Sequence, residues 1–235
     1  MLSNSQIDRI GSQLRKGEVD LGCLESLETF RRLFVPAYES VEDMLVNKMG
    51  VKITGRPSKS TVAIVEKLKR ETIRLSQIQD IAGCRVLVAN LAAQDHLVEN
   101  MQILLADVEL DDKRRAPTNG YRAVHVIATK FGRPVEIQVR TALQHAWANL
   151  SEKVADEFGH SIKYGVGDQT AIRFLSELSE ETARLDIIRH EKMALSQRKA
   201  LKGKSKETVK LAKQMSERER DSLRKVRAIF AGKSI

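Results

Sequence analysis

The sequence predicts an α/β (α+β) fold: a mixed β-sheet of about five strands flanked by helices, with helical extensions at both ends. Three observations carry this. Short strand-like runs stand at residues 51–54, 86–89, 108–112, 124–129 and 135–139, some alternating with period two and some continuously apolar. Helical three-four spacing separates the earlier runs, whereas the last two adjoin, so the order is not a regular βαβ ladder. Of 235 residues 42% are hydrophobic, enough for one large core. The chain divides into a helical segment (1–50), a core (51–165) and C-terminal helices with a basic tail (166–235).

Taken in order, Ser5 to Lys16 reads as an amphipathic helix. Leu24, Leu27, Phe30, Phe34, Tyr38, Val41, Leu45 and Met49 form one face of a long helix, which Pro36 should kink or split. Val51–Thr54 is a strand leading into Gly55-Arg56-Pro57-Ser58-Lys59-Ser60, and helix resumes near Thr61. Cations and hydroxyls before a helix N-terminus suit an anion, although Ser60 can equally act as a helix cap. The Walker spacing is missing. Asp80 and Arg85 flank the start of the apolar strand at Val86. They suit either Mg²⁺ or a simple ion pair. Leu91–Ala106 is helical with Leu97, Met101 and Leu104/Leu105 inward, and Val108–Asp112 is a strand. Lys113, Arg114 and Arg115 then make a basic loop beside the following turn, placed to meet a phosphate.

Asn119-Gly120 is a strong turn signal because both residues tolerate positive φ. Beyond it, Val124, Val126 and Ala128 alternate with His125, Ile127 and Thr129. After a break at Gly132-Arg133-Pro134, Val135, Ile137 and Val139 alternate with Glu136, Gln138 and Arg140. Carboxylate, amide, guanidinium and imidazole then share one sheet face, with Tyr121 and Arg122 nearby. Thr141–Phe158 is helical, with a stripe of Ala142, Ala146, Leu150, Val154 and Phe158, and Trp147 as a packing residue. Asp168 caps a last long helix whose stripe is Ile172, Leu175, Leu178, Leu185 and Ile188.

The net charge of +9 is unevenly placed. Arg189 to Ile235 holds 15 Lys/Arg against 5 Asp/Glu, a local +10, which leaves −1 elsewhere. Such a tail suits RNA or another anion, or is a solvated helix with a positive face. Cys23 and Cys84 belong to no Cys/His cluster, so neither a disulfide framework nor zinc is expected. No run approaches a membrane span and no signal-peptide core is present. A reducing cytoplasm and no membrane partner are the expectation.

Six motifs occur in one order: Gly55-Arg56-x-x-Lys59-Ser60, Glu66-Lys67-Leu68, Asp80-Ile81-Ala82-Gly83-x-Arg85, Asn119-Gly120-Tyr121-Arg122-x-x-His125, Glu136-Ile137-Gln138-x-Arg140-Thr141 and Trp147-Ala148. From Val51 to Lys153 the chain resembles RelA/SpoT-type synthetase domains, and its size resembles that of a small alarmone synthetase. The resemblance implies a nucleotidyltransferase-like fold and a pyrophosphokinase that moves the β,γ-diphosphate of ATP to the 3′-hydroxyl of GDP or GTP, giving (p)ppGpp and AMP. By motif, Arg56, Lys59, Ser60, Lys67 and Arg85 would surround ATP. Asp80 and Glu136 would hold Mg²⁺, and Glu136 would help deprotonate the hydroxyl. Tyr121 would stack on guanine, with Asn119, Arg122, His125, Gln138 and Arg140 on the acceptor side. Family members are often tetramers, so a homo-oligomer is implied.

The chain departs from the long bifunctional members. It has no His-Asp dipeptide and no room for their hydrolase domain, so no hydrolysis is expected. The Arg-rich loop before Asn119 and the basic tail keep open a toxin-type enzyme acting on the 3′ end of tRNA. A catalytically silent nucleotide or RNA sensor is the reading from another class.

Overall fold

A computed structural model of the protein describes residues 2–202 and 205–232, with side chains given except for residues 199–202. Gly203, where the sequence begins its charged tail, lies outside the described residues. Five strands form one sheet in the order β1-β2-β5-β4-β3: β1 Ile53–Arg56, β2 Ala82–Val88, β3 Val108–Asp112, β4 Val124–Lys130 and β5 Arg133–Thr141. The expected strand number and mixed helical surroundings are therefore present.

Strand limits differ from the sequence reading for local reasons. The Val51 N–H bonds to Leu45 O, so Val51 closes the preceding helical segment instead of joining the ladder. Strand β2 begins four residues before Val86, because Ala82, Gly83 and Cys84 are buried against neighbours. Strand β1 runs antiparallel to it, with Ile53 opposite Val86 and Arg56 opposite Gly83. Phe131 (φ 51°) and Gly132 (φ 71°) make the two-residue turn between β4 and β5, the geometry that matches strand twist. Arg133 and Pro134, expected in the break, already belong to β5.

The chain divides into two compact units. The first comprises Met1–Val86, Asn100–Asp111 and His125–Gln138. Its helices are α1 Asn4–Lys16, α2 Leu21–Arg32, α3 Val35–Asp43 and α4 Thr61–Arg70, with a π-helical turn at Met44–Lys48. Pro36 stands in the first turn of α3, where its missing N–H costs nothing, so the predicted long helix is split there. Ile7, Leu14, Leu27, Phe30, Phe34, Leu45, Ile64, Leu68 and Leu75 form the fully buried interior. Arg15 Nε donates to Leu68 O at 2.7 Å, tying α1 to the end of α4.

The second unit comprises Leu87–Glu99, Asp112–Val124 and Val139–Ile235. It holds α6 Ala142–Phe158, α7 Gln169–Lys202 and α8 Lys206–Phe230. The expected α6 stripe is displaced: Gln144, Trp147, Ala148, Ser151 and Ala155 are buried, whereas Phe158 is exposed. The large indole decides the rotation. Trp147 is buried with Ala148, Ile162, Ala171, Leu175 and Leu178, and donates its N–H to Leu175 O at 2.8 Å. Asp168 caps α7 through the Ala171 N–H, as expected. Helix α5, Leu91–Leu105, buries Gln94, Val98, Met101 and Leu105. Leu104, expected inward, is exposed because Met101 and Leu105 already fill that face.

Candidate functional site

Asp80 sits just before β2, and three cations converge on it. Lys59 stands ahead of α4, where its N–H bonds to Ile81 O at 2.7 Å, and its ammonium pairs with Asp80 Oδ2. Lys67, two turns into α4, donates to Asp80 Oδ1 at 3.0 Å. Arg56, at the end of β1, donates to the Asp80 carbonyl at 2.9 Å and lies 3.7 Å from Oδ2. Burial alone would raise the Asp80 carboxyl. The Lys59 and Lys67 charges outweigh it and hold the group at about 2. Burial pulls the Lys59 ammonium below its ordinary value despite Asp80. Asp80 thus sits in a cluster with Arg56, Lys59 and Lys67. The Ser60 hydroxyl accepts from the Ala63 N–H at 3.3 Å as the α4 cap.

Glu136 projects from β5. His125 Nδ1 lies 3.1 Å from its Oε1, and Gln138 Nε2 donates to its Oε2 at 2.7 Å. Burial acts to raise this carboxyl. The His125 hydrogen bond and charge outweigh burial; Asp80 opposes them, Gln138 assists, and the result lies below the ordinary glutamate value. The two carboxylates therefore feel one another across the first unit, and both are anionic at neutral pH.

A cleft of about 130 Å³ is lined by Thr54, Gly55, Arg56, Gly83, Cys84, Arg85, Glu136 and Gln138. Two glycines shape it. A Cβ on Gly83 would lie 2.5 Å from the Glu136 carbonyl oxygen, and one on Gly55 would collide with the Tyr38 hydroxyl. That hydroxyl donates to Glu42 at 3.2 Å. The Cys84 thiol is pushed up to about 12 by burial and by the Glu42 and Glu136 charges, so it is inert as a nucleophile.

In the second unit, the Asn119-Gly120 turn forms as expected, with φ of 49° and 85° and a Thr118–Tyr121 bridge. Tyr121 is paired to Arg140, whose guanidinium donates to the phenol oxygen at 2.8 Å and stands 5.0 Å from the ring centre. The Asn119 amide donates to Lys163 O at 3.2 Å. Arg122 Nε donates to Ser179 Oγ at 3.3 Å, and its Nη1 donates to Arg114 O at 2.9 Å. The Ser179 hydroxyl in turn donates to the Gly120 carbonyl.

Of the three cations in the basic loop, Arg115 is exposed while Arg114 is turned to neighbouring acids. Arg114 is committed to carboxylates, with Asp112 at 2.8 Å and Asp95 at 2.6 Å. Those partners precede it in sequence and hold the loop that delivers Tyr121.

The structure thus gathers Arg56, Lys59, Lys67 and Asp80. It lines one cleft with Arg56, Arg85, Glu136 and Gln138, backs Glu136 with His125, and joins Tyr121 to Arg140. Sequence reasoning missed Ser179 and the Tyr38–Gly55 contact. Gly83 was visible, since a glycine inside an apolar strand signals a close backbone approach.

Residues 55–164 match the family described as the region found in RelA / SpoT proteins. An uncharacterised protein of Mycobacterium tuberculosis is 31% identical over 169 residues, 69% of this chain. The chain spans 62% of that relative's length, and the same fraction of its Mycobacterium bovis counterpart. A GTP pyrophosphokinase of Haemophilus influenzae is 32% identical over 106 residues, which are 43% of this chain and 14% of that enzyme. Among solved structures, small alarmone synthetase 1 from Bacillus subtilis aligns with a TM-score of 0.56 at 24% identity, covering 73% of this chain and 99% of that one. The same synthetase bound to its product pppGpp aligns at 0.53 with 25% identity, covering 70% and 96%. The fold is that of these synthetases.

Proposed function

We propose, from the match of residues 55–164 to the region found in RelA / SpoT proteins, that the protein is a pyrophosphokinase that converts ATP and GDP or GTP to AMP and (p)ppGpp. The observation that carries this is the pair of anionic carboxylates, Asp80 under three cations and Glu136 backed by His125 and Gln138. In the reaction the acceptor 3′-oxygen attacks the β-phosphorus of ATP. A new P–O bond forms, the bond to the α-phosphate oxygen breaks, and AMP leaves. Charge spreads over phosphoryl oxygens, so catalysis consists chiefly of positioning and cationic stabilisation.

Arg56, Lys59, Lys67 and Arg85 supply that charge to ATP, and Ser60 fixes the N-terminus of α4, whose free N–H groups suit phosphate. Glu136, anionic and directed by His125 and Gln138, takes the hydroxyl proton. Tyr121 offers a ring for guanine, held by Arg140, with Asn119 and Arg122 shaping its turn. The donor set fits Mg²⁺, which binds through one or two carboxylates and completes its shell with phosphates and water. Among the described residues no group of three or more His, Cys, Asp or Glu side chains is placed to hold a metal ion, so phosphates and water would complete the shell. Asp80 and Glu136 would hold the ion, which supplies neutralisation of phosphoryl charge. No helix of the described residues is long and apolar enough to cross a membrane, and both cysteines are buried thiols. From the resemblance to its family we propose a cytoplasmic protein and a homo-oligomer, with a tetramer as the form to test.

The test is incubation with ATP labelled in its γ-phosphate and, separately, GDP, GTP or tRNA. Label on GDP or GTP with stoichiometric AMP is the expected result. Label on tRNA alone would establish the toxin-type reading. Nucleotide binding without AMP would establish a sensor.

A further inference from the structure

The charged side chains of α8 are sorted by face. On the side toward α7, Glu219 accepts from Arg189 at 3.3 Å and Lys192 at 2.5 Å, while Ser222 donates to the buried Glu181 at 2.9 Å. On the outer side, Lys206, Lys210, Lys213, Arg220, Arg224 and Arg227 are all exposed. Their spacings of four, three, seven, four and three residues confine them to an arc of about 100°, running roughly 30 Å along the helix. Glu217 is the one acid within this arc. Arg224 pairs with Asp221 at 3.1 Å, and the other five have no ion-pair partner among the described residues.

Like charges three and four residues apart destabilise a helix. Of the other acids of α8, Glu207, Glu219 and Asp221 stand off this arc, and Glu219 is turned toward α7. We propose that the outer face of α8 binds the phosphate backbone of a polynucleotide without regard to base sequence. A line of cations fits a repeated anion, whereas a single small anion needs a concave site. The stripe contains no aromatic residue, so base stacking does not contribute and affinity comes from counterion release. A lipid surface fits less well. A membrane-bound helix turns its apolar face to the lipid, whereas Ile229 and Val226 of α8 pack on the Trp147 cluster, which leaves Val209, Leu211, Leu223 and Phe230 as the exposed apolar residues of the helix.

The experiment uses the full chain and a fluorescein-labelled 20-nucleotide RNA, read by anisotropy from low to moderate salt without ATP or acceptor. Saturable, sequence-independent binding that weakens steeply with salt is expected. Replacing Lys210, Lys213 and Arg220 together by glutamate should reduce affinity at least tenfold and flatten the logarithmic salt slope by about 2. A glutamine triple variant should fall between, which separates lost charge from a damaged helix. Reversing Lys16 and Lys48, exposed cations elsewhere, should leave binding unchanged. The proposal is overturned if the RNA does not bind, or if the Lys16/Lys48 variant loses as much affinity. It is equally overturned if phosphatidylserine vesicles bind as tightly as RNA through the same stripe. The stripe lies outside residues 55–164, and the assay is independent of the synthetase reaction.

Discussion

The Ser179 hydroxyl on α7 holds the Gly120 carbonyl on the turn that carries Tyr121. Arg122 steadies that hydroxyl from the other side at 3.3 Å. Neither contact touches the ring, yet both fix where it stands. Losing one such hydrogen bond costs about 1 kcal/mol, equivalent to roughly fivefold in an equilibrium. Ser179→Ala is therefore expected to raise the KM for GDP or GTP several-fold, with kcat and the KM for ATP little changed. Ser179→Thr should restore much of the loss. Steady-state kinetics with each substrate varied in turn check this, and an equal rise in both KM values would count against it.

Glu136→Gln keeps the side chain's size and one acceptor oxygen for His125 or Gln138 but removes the charge and the proposed base. General-base contributions are typically about 10²–10⁴-fold. A kcat reduction in that range is expected, with ATP affinity by calorimetry retained. Unchanged turnover would remove Glu136 from the proposed role.

Tyr121→Ala removes a stacking surface that contributes about 1–3 kcal/mol per base. The acceptor KM should rise about tenfold or more while the ATP KM holds. An effect confined to ATP would mean that Tyr121 serves the other nucleotide.

Asp80 links folding to pH. Its folded-state value, about 2, lies below the ordinary 3.8. The stabilisation is thus present in full above the unfolded value and is lost as pH falls through the folded one, a contribution of about 2 kcal/mol. Chemical denaturation between pH 5 and 2 should show this loss. Asp80→Asn should flatten the curve there. At neutral pH it should also lower stability by about 3 kcal/mol, since Lys59 would remain buried without its counter-charge.

Gly83→Ala places a methyl 2.5 Å from the Glu136 carbonyl oxygen. Backbone on both strands leaves little room to yield, so a loss of about 1–3 kcal/mol is expected from overpacking. Activity should fall further than stability, because the displaced strand carries Glu136. Paired melting and rate measurements test the two effects.

Much of this was legible in the chain. Period two alone exposed the β4 and β5 strands, and Asn119-Gly120 announced its turn through two residues that accept positive φ. Motif order brought Asp80 and Glu136 forward. What stayed hidden depended on distant neighbours. The rotation of α6 was set by which helix covers Trp147, and nothing local to α6 encodes that. Arg114 stood in a loop of three cations, and nothing local showed that Asp95, nineteen residues earlier, pairs with it. The ends of β1 and β2 moved because Val51 bonds backward to Leu45 and Gly83 packs on a neighbouring strand.

Ser179 and the helix that presents it begin after residue 164, where the family match stops. A fragment trimmed to that boundary would retain every signature residue yet forfeit the clasp on Gly120 and the cover over Trp147. Under the proposed function, the shortest competent fragment is accordingly longer than the family signature, and exchanging the C-terminal helices would alter the support of the Tyr121 turn while leaving the motifs untouched.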